Sequence, residues 1–307
     1  ISSLKGNQTN PSFIAGRVGS KLRYGDHPYG EMKTEATIGN ITREQCMEYY
    51  QTYYKPNTSY LVMVGDIVPE EARKLAEEYF GEWQQGEVPT HEYELPDMKK
   101  GTRVALVNRD DAVQSVVSLT YPISLQPGQP DAIAADLMNS ILGGGIFSSY
   151  LMQNLREDKG YTYGASSQLS KDPLVGYFKA EAEVGTEVTD SSIHEMLDEM
   201  KRIKEKKADQ SQIELARQVK TGQFARSLED ARNVAGYALN TRRYDLPPDY
   251  YSTYLTKVEN VDAESIQQAA QKSLCVLIMC ILTAPAFADD EIAVVERPDT
   301  SQTNDHY

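Results

Sequence analysis

Cysteine is scarce in this sequence, and its three copies are unevenly placed at positions 46, 275 and 280. Three cysteines are too few for a disulfide framework of the kind that stabilises small secreted domains, and no Cys-x-x-Cys pair is present. The first residues, "ISSLKGNQTN", also lack the apolar segment of a secretory signal peptide. Cysteine usage therefore leaves the cellular compartment open, and the amino-terminal residues give no targeting signal.

Basic residues are outnumbered by acidic ones. The 307 residues include 31 Lys and Arg against 45 Asp and Glu, which gives a formal net charge of −14. A charge of this sign argues against nucleic acid or an anionic lipid surface as the main partner. With 40% hydrophobic and 25% charged residues, the chain is typical of globular proteins and is long enough for two domains of common size.

Helix and strand patterns predict an α+β architecture in two domains. In the first domain, residues 42–54 and 69–80 have helical periodicity and flank the strand-like run "SYLVMV" at 59–64. The polar segment 84–101 is typical of an interdomain linker. Beyond it, strand-like runs at 102–107 and 114–121 precede further strands and helices that complete a second α+β domain. The predicted division is 1–95, 96–273 and an atypical tail at 274–307.

The stretch "LGGGIFSSYLMQNLREDKGYTYG" at residues 142–164 combines a glycine turn, a short amphipathic helix and an arginine that precedes two tyrosines. Taken alone, the glycines are consistent with a flexible connection between helices. The stretch lacks the Gly-Lys-Ser/Thr of a phosphate loop and the third glycine of a dinucleotide fingerprint. Together, a guanidinium and phenol hydroxyls beside a glycine turn could hold a peptide carbonyl or the oxyanion derived from it. The residues concerned are Gly143, Gly144, Gly145, Arg156, Tyr161 and Tyr163.

This stretch resembles the glycine turn, "LRE" helix end and tyrosine of the pitrilysin/insulinase (M16) family of zinc peptidases, also called inverzincins. The resemblance covers about residues 12–271 and includes "YGDHPYG", "ITREQCMEYYQTYYKPN" and "SYLVMVGD". It implies a half-molecule of two similar domains, each a mixed or antiparallel sheet packed by helices, with the first domain incomplete here. It further implies that Arg156 and Tyr163, with Tyr161 as the alternative, complete a catalytic site, and that the three glycines contact substrate.

The zinc ligands of that family are absent from this sequence. Its four histidines, at positions 27, 91, 194 and 306, are far apart, so neither His-x-x-Glu-His nor His-Glu-x-x-His occurs. We expect His27 to be a structural turn residue and His194 to form a solvated pair with Glu195. The resemblance implies that zinc is held by sequence upstream of Ile1 or by a partner half, that this chain binds none, and that it hydrolyses nothing by itself.

Two functions from different classes remain open. In the first, the chain is part of a zinc peptidase and supplies the Arg/Tyr half of a peptide site to a second M16 half, in the same parent chain or in a partner subunit. In the second, it is a non-catalytic M16-like subunit that binds peptides or scaffolds a catalytic partner. A periplasmic small-molecule binding protein would fit the two-domain pattern but not the motifs. The resemblance also implies a location in the bacterial periplasm or cell envelope.

The end of the sequence departs from the family pattern. Lys272, an apolar run at 274–282 and "AFA" at 286–288 stand in the order of a secretory signal peptide with its cleavage site. One interpretation is a foreign leader joined at about residues 271–273, and the other is a genuine closing strand with an unusual tail. The apolar run is far shorter than the about 20 residues that span a bilayer, so we expect no membrane span. We expect residues after about Pro298 to be poorly ordered.

Overall fold

The computed structural model describes residues 1–96, 102–109, 112–274, 279–284 and 293–297. Its α-helices are α1 (Ser2–Gly6), α2 (Pro11–Tyr24), α3 (Glu35–Gly39), α4 (Arg43–Tyr53), α5 (Pro69–Phe80), α6 (Ala132–Leu142), α7 (Tyr150–Met152), α8 (Thr189–Glu205), α9 (Gln210–Ser227), α10 (Ala231–Arg243), α11 (Tyr254–Glu259) and α12 (Ala263–Ser273). Its strands are β1 (Thr102–Asn108), β2 (Gln114–Ile123), β3 (Thr162–Ser170), β4 (Gly176–Gly185), β5 (Met279–Ala284) and β6 (Ala293–Arg297). A π-helical turn at Gln153–Asp158 follows α7 directly.

The chain divides into two compact units, which we name by their content. The sheet unit comprises Ser2–Met32, Glu94–Lys220 and Thr256–Tyr307, and it includes every strand of the described residues. The helical unit comprises Ile1, Lys33–Tyr93 and Thr221–Leu255; the structure describes all of these residues, and none of them lies in a strand. The predicted α+β class is confirmed, whereas the division at 95/96 and 273/274 stays a prediction.

The sheet has the strand order β3-β4-β2-β5-β1-β6. The strand-like runs predicted at 102–107 and 114–121 are confirmed as β1 and β2. Near the middle of the sheet, β2 is antiparallel to β4 on one side and to β5 on the other. On the far side of β5, β1 pairs with it in parallel. The sheet is therefore mixed, as expected for an α+β domain rather than a doubly wound one.

Helices cover β2 on both faces. At the start of α8, Thr189 Oγ1 donates to Ser115 Oγ at 2.9 Å, and on the other face Arg23 Nη1 of α2 donates to Thr120 Oγ1 at 2.6 Å. Successive side chains of a strand point to opposite faces, so positions 115 and 120 lie on different sides of the sheet. The Arg23 guanidinium also lies 4.0 Å from the ring centroid of Tyr177, and burial lowers its pKa. Coverage on both faces explains why β2 is almost continuously buried instead of alternating.

The predicted tail contributes a central strand. Residues of β5 pair with β1 and β2, with Ile281 opposite Ala105 and Cys280 opposite Leu119. This arrangement is the one that the closing-strand interpretation predicts. The "AFA" sequence at 286–288 and the tail after Pro298 lie outside the described residues. In the part of the chain that the structure describes, no helix combines the length and apolar character needed to cross a bilayer.

Local sequence signals explain the helices predicted at 42–54 and 69–80, which are confirmed as α4 and α5. At the start of α4, Thr42 Oγ1 accepts from Gln45 N at 3.2 Å, and Gln45 Oε1 accepts from Thr42 N at 2.9 Å. This capping box satisfies two of the main-chain groups that a helix end leaves unpaired. Pro69 occupies the first position of α5, where its missing N–H costs nothing.

The strand predicted at 59–64 is wrong. Residues 60–64 have no regular secondary structure, and their main-chain groups form no hydrogen bond with any described residue. Alternation and β-branched content predict that a segment can extend, but a strand also needs a second strand beside it. The helical unit offers none, so the segment stays single, with Tyr60, Leu61 and Met63 exposed.

Candidate functional site

The glycine turn predicted from the sequence is pressed against β3. The N–H of Gly143 donates to Asn139 O at 2.9 Å, which ends α6, while its carbonyl accepts from Ser167 N of β3, also at 2.9 Å. A Cβ at position 143 would lie only 2.7 Å from Ser167 N and 2.8 Å from Leu151 Cδ1. Two residues later, Gly145 has φ 91°, a conformation that favours glycine. The turn therefore needs glycine for close approach at one end and for backbone geometry at the other.

Arg156 lies on the π-helical turn, which is wider than an α-helix and often occurs at functional sites. Its Cζ lies 4.5 Å from the ring centroid of Phe147, a residue of the glycine turn that is 61% exposed. Its Nε is 3.6 Å from Glu157 Oε1, which is beyond hydrogen-bonding distance. The guanidinium makes no hydrogen bond with the described residues, and the Arg156 side chain is 35% exposed, so its N–H donors are not used within this part of the chain. The sequence analysis did not identify Phe147, although an aromatic residue two positions after a glycine turn is a usable signal.

Tyr163 lies on a β-bulge at the start of β3. Thr162 pairs with Val184 and Ala165 pairs with Ala182, so β3 has one residue more than β4 over this interval. Bulges redirect side chains and are common beside active sites. Here Tyr163 is 90% exposed, and its hydroxyl has no hydrogen-bond partner among the described residues. The alternative residue, Tyr161, is half-buried, and its N–H donates to Leu155 O of the π-helical turn at 2.8 Å.

Aromatic and amide contacts hold the start of the π-helical turn to α8 and α9. Tyr150 Oη donates to Gln212 Oε1 of α9 at 2.9 Å. The guanidinium of Arg202, on α8, lies 4.1 Å from the centroid of the same Tyr150 ring. Burial of Tyr150 raises the pKa of its hydroxyl. The segment that leads to Arg156 is therefore anchored before the turn begins.

An ion pair holds the other end of the turn. Lys159 Nζ lies 2.8 Å from Glu195 Oε1 of α8. The hydrogen bond from Lys159, followed by one from Asn154, holds the pKa of Glu195 below its usual range. Glu195 is thus not the solvated partner of His194 that the sequence predicts. His194 instead places Nδ1 3.0 Å from the carbonyl of Asp190, one turn back on the exposed side of α8.

The histidines of the described residues do not form a metal site. His27 is buried, and its Nδ1 accepts from Tyr29 N at 3.2 Å at the start of the one-turn helix Pro28–Gly30, in line with the structural role expected of it. His91 Nε2 is within 2.9 Å of the hydroxyl of Tyr53. No group of three His, Cys, Asp or Glu side chains that could hold a metal ion occurs among the residues that the structure describes. These residues therefore do not fit zinc, and no chemical step can be assigned to a metal held by them.

The geometry brings some predicted site residues together and leaves others apart. The glycine turn and Arg156 meet through Phe147, and the Tyr161 N–H links the π-helical turn to β3. No hydrogen bond or ring contact joins the side chains of Arg156 and Tyr163 to each other among the described residues. Both side chains therefore keep hydrogen-bond donors that no described residue accepts, on a braced framework, which is an arrangement able to bind carbonyl oxygens of a ligand laid across it.

Comparison with known families gives a match over residues 40–220 to the family model described as the peptidase M16 inactive domain. A curated relative, an uncharacterized zinc protease of Rickettsia felis, is 23% identical over 275 residues, which are 87% of this chain and 63% of the relative. The first curated relatives extend well beyond the match, because the chain spans between 37% and 63% of their length.

Solved structures share the fold. A peptidase M16 inactive domain from Pseudomonas fluorescens superposes with a TM-score of 0.85 at 22% identity, over 94% of this chain and 69% of that one. The periplasmic protease PqqL from Escherichia coli gives a TM-score of 0.77 at 18% identity, over 93% of this chain and 32% of that one. At these identities the two structures establish the architecture alone.

Proposed function

Because the chain belongs to the M16 peptidase family, we propose that it supplies the substrate-holding half of a peptide-hydrolysing site. Arg156 and Tyr163 are the groups that bind the peptide in this proposal. The observation that carries it is their shared position: neither side chain makes a hydrogen bond with the described residues, and each lies on a local irregularity of a braced backbone, with Tyr163 90% exposed and the side chain of Arg156 35% exposed. The π-helical turn and the β-bulge are both departures from regular geometry that are common at functional sites.

The proposed mode of binding follows from donor geometry. The planar guanidinium of Arg156 offers two parallel N–H groups to a peptide carbonyl oxygen, or to the oxyanion that forms when that carbonyl is attacked. The hydroxyl of Tyr163, with Tyr161 as the alternative, donates to the same peptide. At Gly145, no heavy atom lies within 4 Å of where a Cβ would be, so a ligand main chain can approach the turn closely. The guanidinium lies beside both the Phe147 ring, whose centroid is 4.5 Å from Arg156 Cζ, and the Glu157 carboxylate, whose Oε1 is 3.6 Å from Arg156 Nε.

In this proposal the hydrolytic chemistry belongs to a second M16 half and not to this chain. The curated relative is named as a zinc protease, whereas the described residues here form no zinc site. We therefore assign this chain no hydrolytic step of its own. The proposal places zinc in a second M16 half, in the same parent chain or in a partner subunit, with an extended peptide bound between that half and this one.

Peptide binding tests the proposal directly. Purified residues 1–307 are titrated into a fluorescein-labelled, unstructured 15-residue peptide of zero net charge, and Kd is obtained from anisotropy. Since a hydrogen bond to a charged group contributes about 1.5–3 kcal/mol, Arg156→Ala should weaken binding about 10- to 100-fold. Tyr163→Phe, which removes a neutral hydrogen bond, should weaken it about 2- to 10-fold.

Two exposed residues of the helical unit provide matched controls. Arg232→Ala removes the same group at a position where the side chain is 90% exposed, and Tyr79→Phe removes an exposed hydroxyl. Neither should change Kd. Equal affinities for Arg156→Ala and Arg232→Ala would remove Arg156 from the proposed site.

The family description as an inactive domain favours one alternative, a non-catalytic subunit that scaffolds a catalytic partner. Mixing the chain with a zinc-bearing M16 subunit and measuring peptide turnover separates the two functions. A substrate-holding half raises kcat/KM, and the gain is lost with Arg156→Ala. A scaffold associates with the partner, and any stimulation survives that substitution.

We also propose a location in the bacterial periplasm or cell envelope. The support is the fold shared with a protease that is described as periplasmic. Fractionation of cells that express the full parent protein, with a cytoplasmic and a periplasmic marker enzyme assayed in parallel, tests it. Recovery with the cytoplasmic marker would contradict it.

A further inference from the structure

We propose that Asn154 is a positioning residue for Arg156: its side-chain amide fixes the π-helical turn to α8 and thereby sets where the guanidinium lies. The inference rests on the proposed function of Arg156. Residues two apart on a helix point to roughly opposite sides, so on this turn Asn154 faces α8 while Arg156 lies beside the ring of Phe147. Holding one side chain therefore fixes the direction of the other.

The contacts of Asn154 are unusually one-sided. Its Nδ2 donates to Glu195 Oε2 at 2.9 Å and to Glu199 Oε1 at 2.8 Å. Its Oδ1 is buried and has no hydrogen-bond partner among the described residues. A single amino group thus makes both attachments, each of them to a carboxylate, and hydrogen bonds to charged acceptors are the stronger kind.

The carboxylates that receive Asn154 are themselves held in place. Glu199 is 7% exposed, and its other oxygen accepts from Arg202 Nη1 at 3.1 Å. Glu195 is held by Lys159, which follows the turn. The amide therefore joins the π-helical turn, which is a rare and short element, to two anchored groups of α8. The side chain of Arg156 makes no hydrogen bond of its own to α8 among the described residues.

Replacement of the amide by a carboxyl makes the positioning pH-dependent. In Asn154→Asp the new carboxyl faces Glu195, Glu199 and Arg202 of α8, with Lys159 beside it and His194 on the solvent side. The two nearby carboxylates raise its pKa above the ordinary Asp value, against the opposing effect of Lys159 and Arg202, and a titration from about pH 7.5 to about pH 5 follows its protonation. When protonated, it can donate one hydrogen bond as the amide does. When ionised, it repels α8.

The experiment measures the Kd of the same peptide for wild type, Asn154→Asp, Asn154→Ala and Asn260→Asp across this pH range. Asn260→Asp is the matched control, because it makes the same amide-to-carboxylate change at an exposed residue of the sheet unit. Expressed relative to wild type at each pH, Asn154→Asp should bind about three- to tenfold more weakly at about pH 7.5 and recover to within about twofold near pH 5. Asn154→Ala should be weak throughout, and Asn260→Asp should follow wild type.

A purely structural role would lower the affinity of both Asn154 variants without recovery on acidification, and that result overturns the inference. The inference is also overturned if Asn154→Asp binds the peptide with wild-type affinity at about pH 7.5, where its carboxyl is ionised. If Arg156→Ala weakens binding while the Asn154 variants do not, only the positioning role fails. If Arg156→Ala has no effect, the proposed function fails first.

A second measurement reads Arg156 without peptide, and it remains informative if Asn154→Asp does not fold. Phenylglyoxal modifies exposed guanidinium groups, and mass spectrometry gives the rate at each arginine. In Asn154→Ala, release of the turn should free Arg156 from Phe147 and raise its modification rate at least about twofold, with Arg232 unchanged as the internal control. An unchanged rate at Arg156 contradicts the positioning role.

Discussion

A methyl group added at Gly143 tests the close approach between the glycine turn and β3. The Cβ of Gly143→Ala would meet Ser167 N at 2.7 Å, Leu151 Cδ1 at 2.8 Å and Ser167 Oγ at 2.8 Å, whereas ordinary contacts begin at 3.4 Å. Relief requires a displacement of about 0.7 Å, and the atom in the way is main chain, which cannot rotate aside as a side chain can. Overpacking of this kind costs about 1–3 kcal/mol in free energy of unfolding.

Thermal unfolding followed by circular dichroism measures this cost. For a cooperative unit of 150–250 residues, each kcal/mol lowers Tm by about 2–4 °C. Gly164→Ala is the matched control, because its Cβ would have no heavy atom within 4 Å and its φ is not positive. If Gly143→Ala and Gly164→Ala melt together, the turn is not packed against β3 as the structure has it, and the reasoning is refuted.

Two further predictions concern the polar contacts of the sheet unit. The pKa of Glu195 is lowered in the folded protein, so its ionisation contributes stability above the unfolded value of 4.5 and loses that contribution as the pH falls through the folded pKa. Melting wild type and Glu195→Gln from neutral to acidic pH should therefore show a gap in Tm that narrows below about pH 4.5, and a gap that widens on acidification would contradict the Lys159 contact. Urea unfolding should show Thr120→Val destabilised by about 1–3 kcal/mol, because it removes the acceptor of the buried Arg23 guanidinium and the hydrogen bond that Thr120 donates to Phe178 O. Arg23→Met should be destabilised less, because the buried charge is then absent and Thr120 keeps its hydrogen bond to Phe178 O. The reverse order would mean that Arg23 is not held by Thr120.

The sequence predicted the regular parts of the fold well, because those parts are governed by short-range signals. The Thr42–Gln45 capping box and Pro69 mark helix starts, and the buried run of β2 marks a central strand. The strand prediction at 59–64 was wrong for a different reason. Its strand-like pattern is local, but pairing depends on a neighbouring strand that its own residues cannot specify.

The sequence predicted which residues belong to the candidate site, but not the backbone geometry that presents them. Arg156 and Tyr163 were named from their order behind a glycine turn. The π-helical turn and the bulge that expose them each arise from a single extra residue, which no periodicity reveals. Asn154 and Phe147 were missed because their importance comes from contacts with α8 and with Arg156, which are set by tertiary packing. The role of Arg156 in peptide binding stays a prediction until the binding assay is done.

The unpaired segment at 60–64 also bears on how the protein behaves at high concentration. Unpaired main-chain groups on an exposed apolar segment are a template for pairing with another chain, which is how sheet edges start aggregation. The formal charge of −14 opposes this by keeping molecules apart. Salt weakens that repulsion, since the screening length falls from about 30 Å at 0.01 M to about 10 Å at 0.1 M. The tendency of this chain to aggregate should therefore rise with ionic strength. We expect it to remain monodisperse in buffer of low salt concentration.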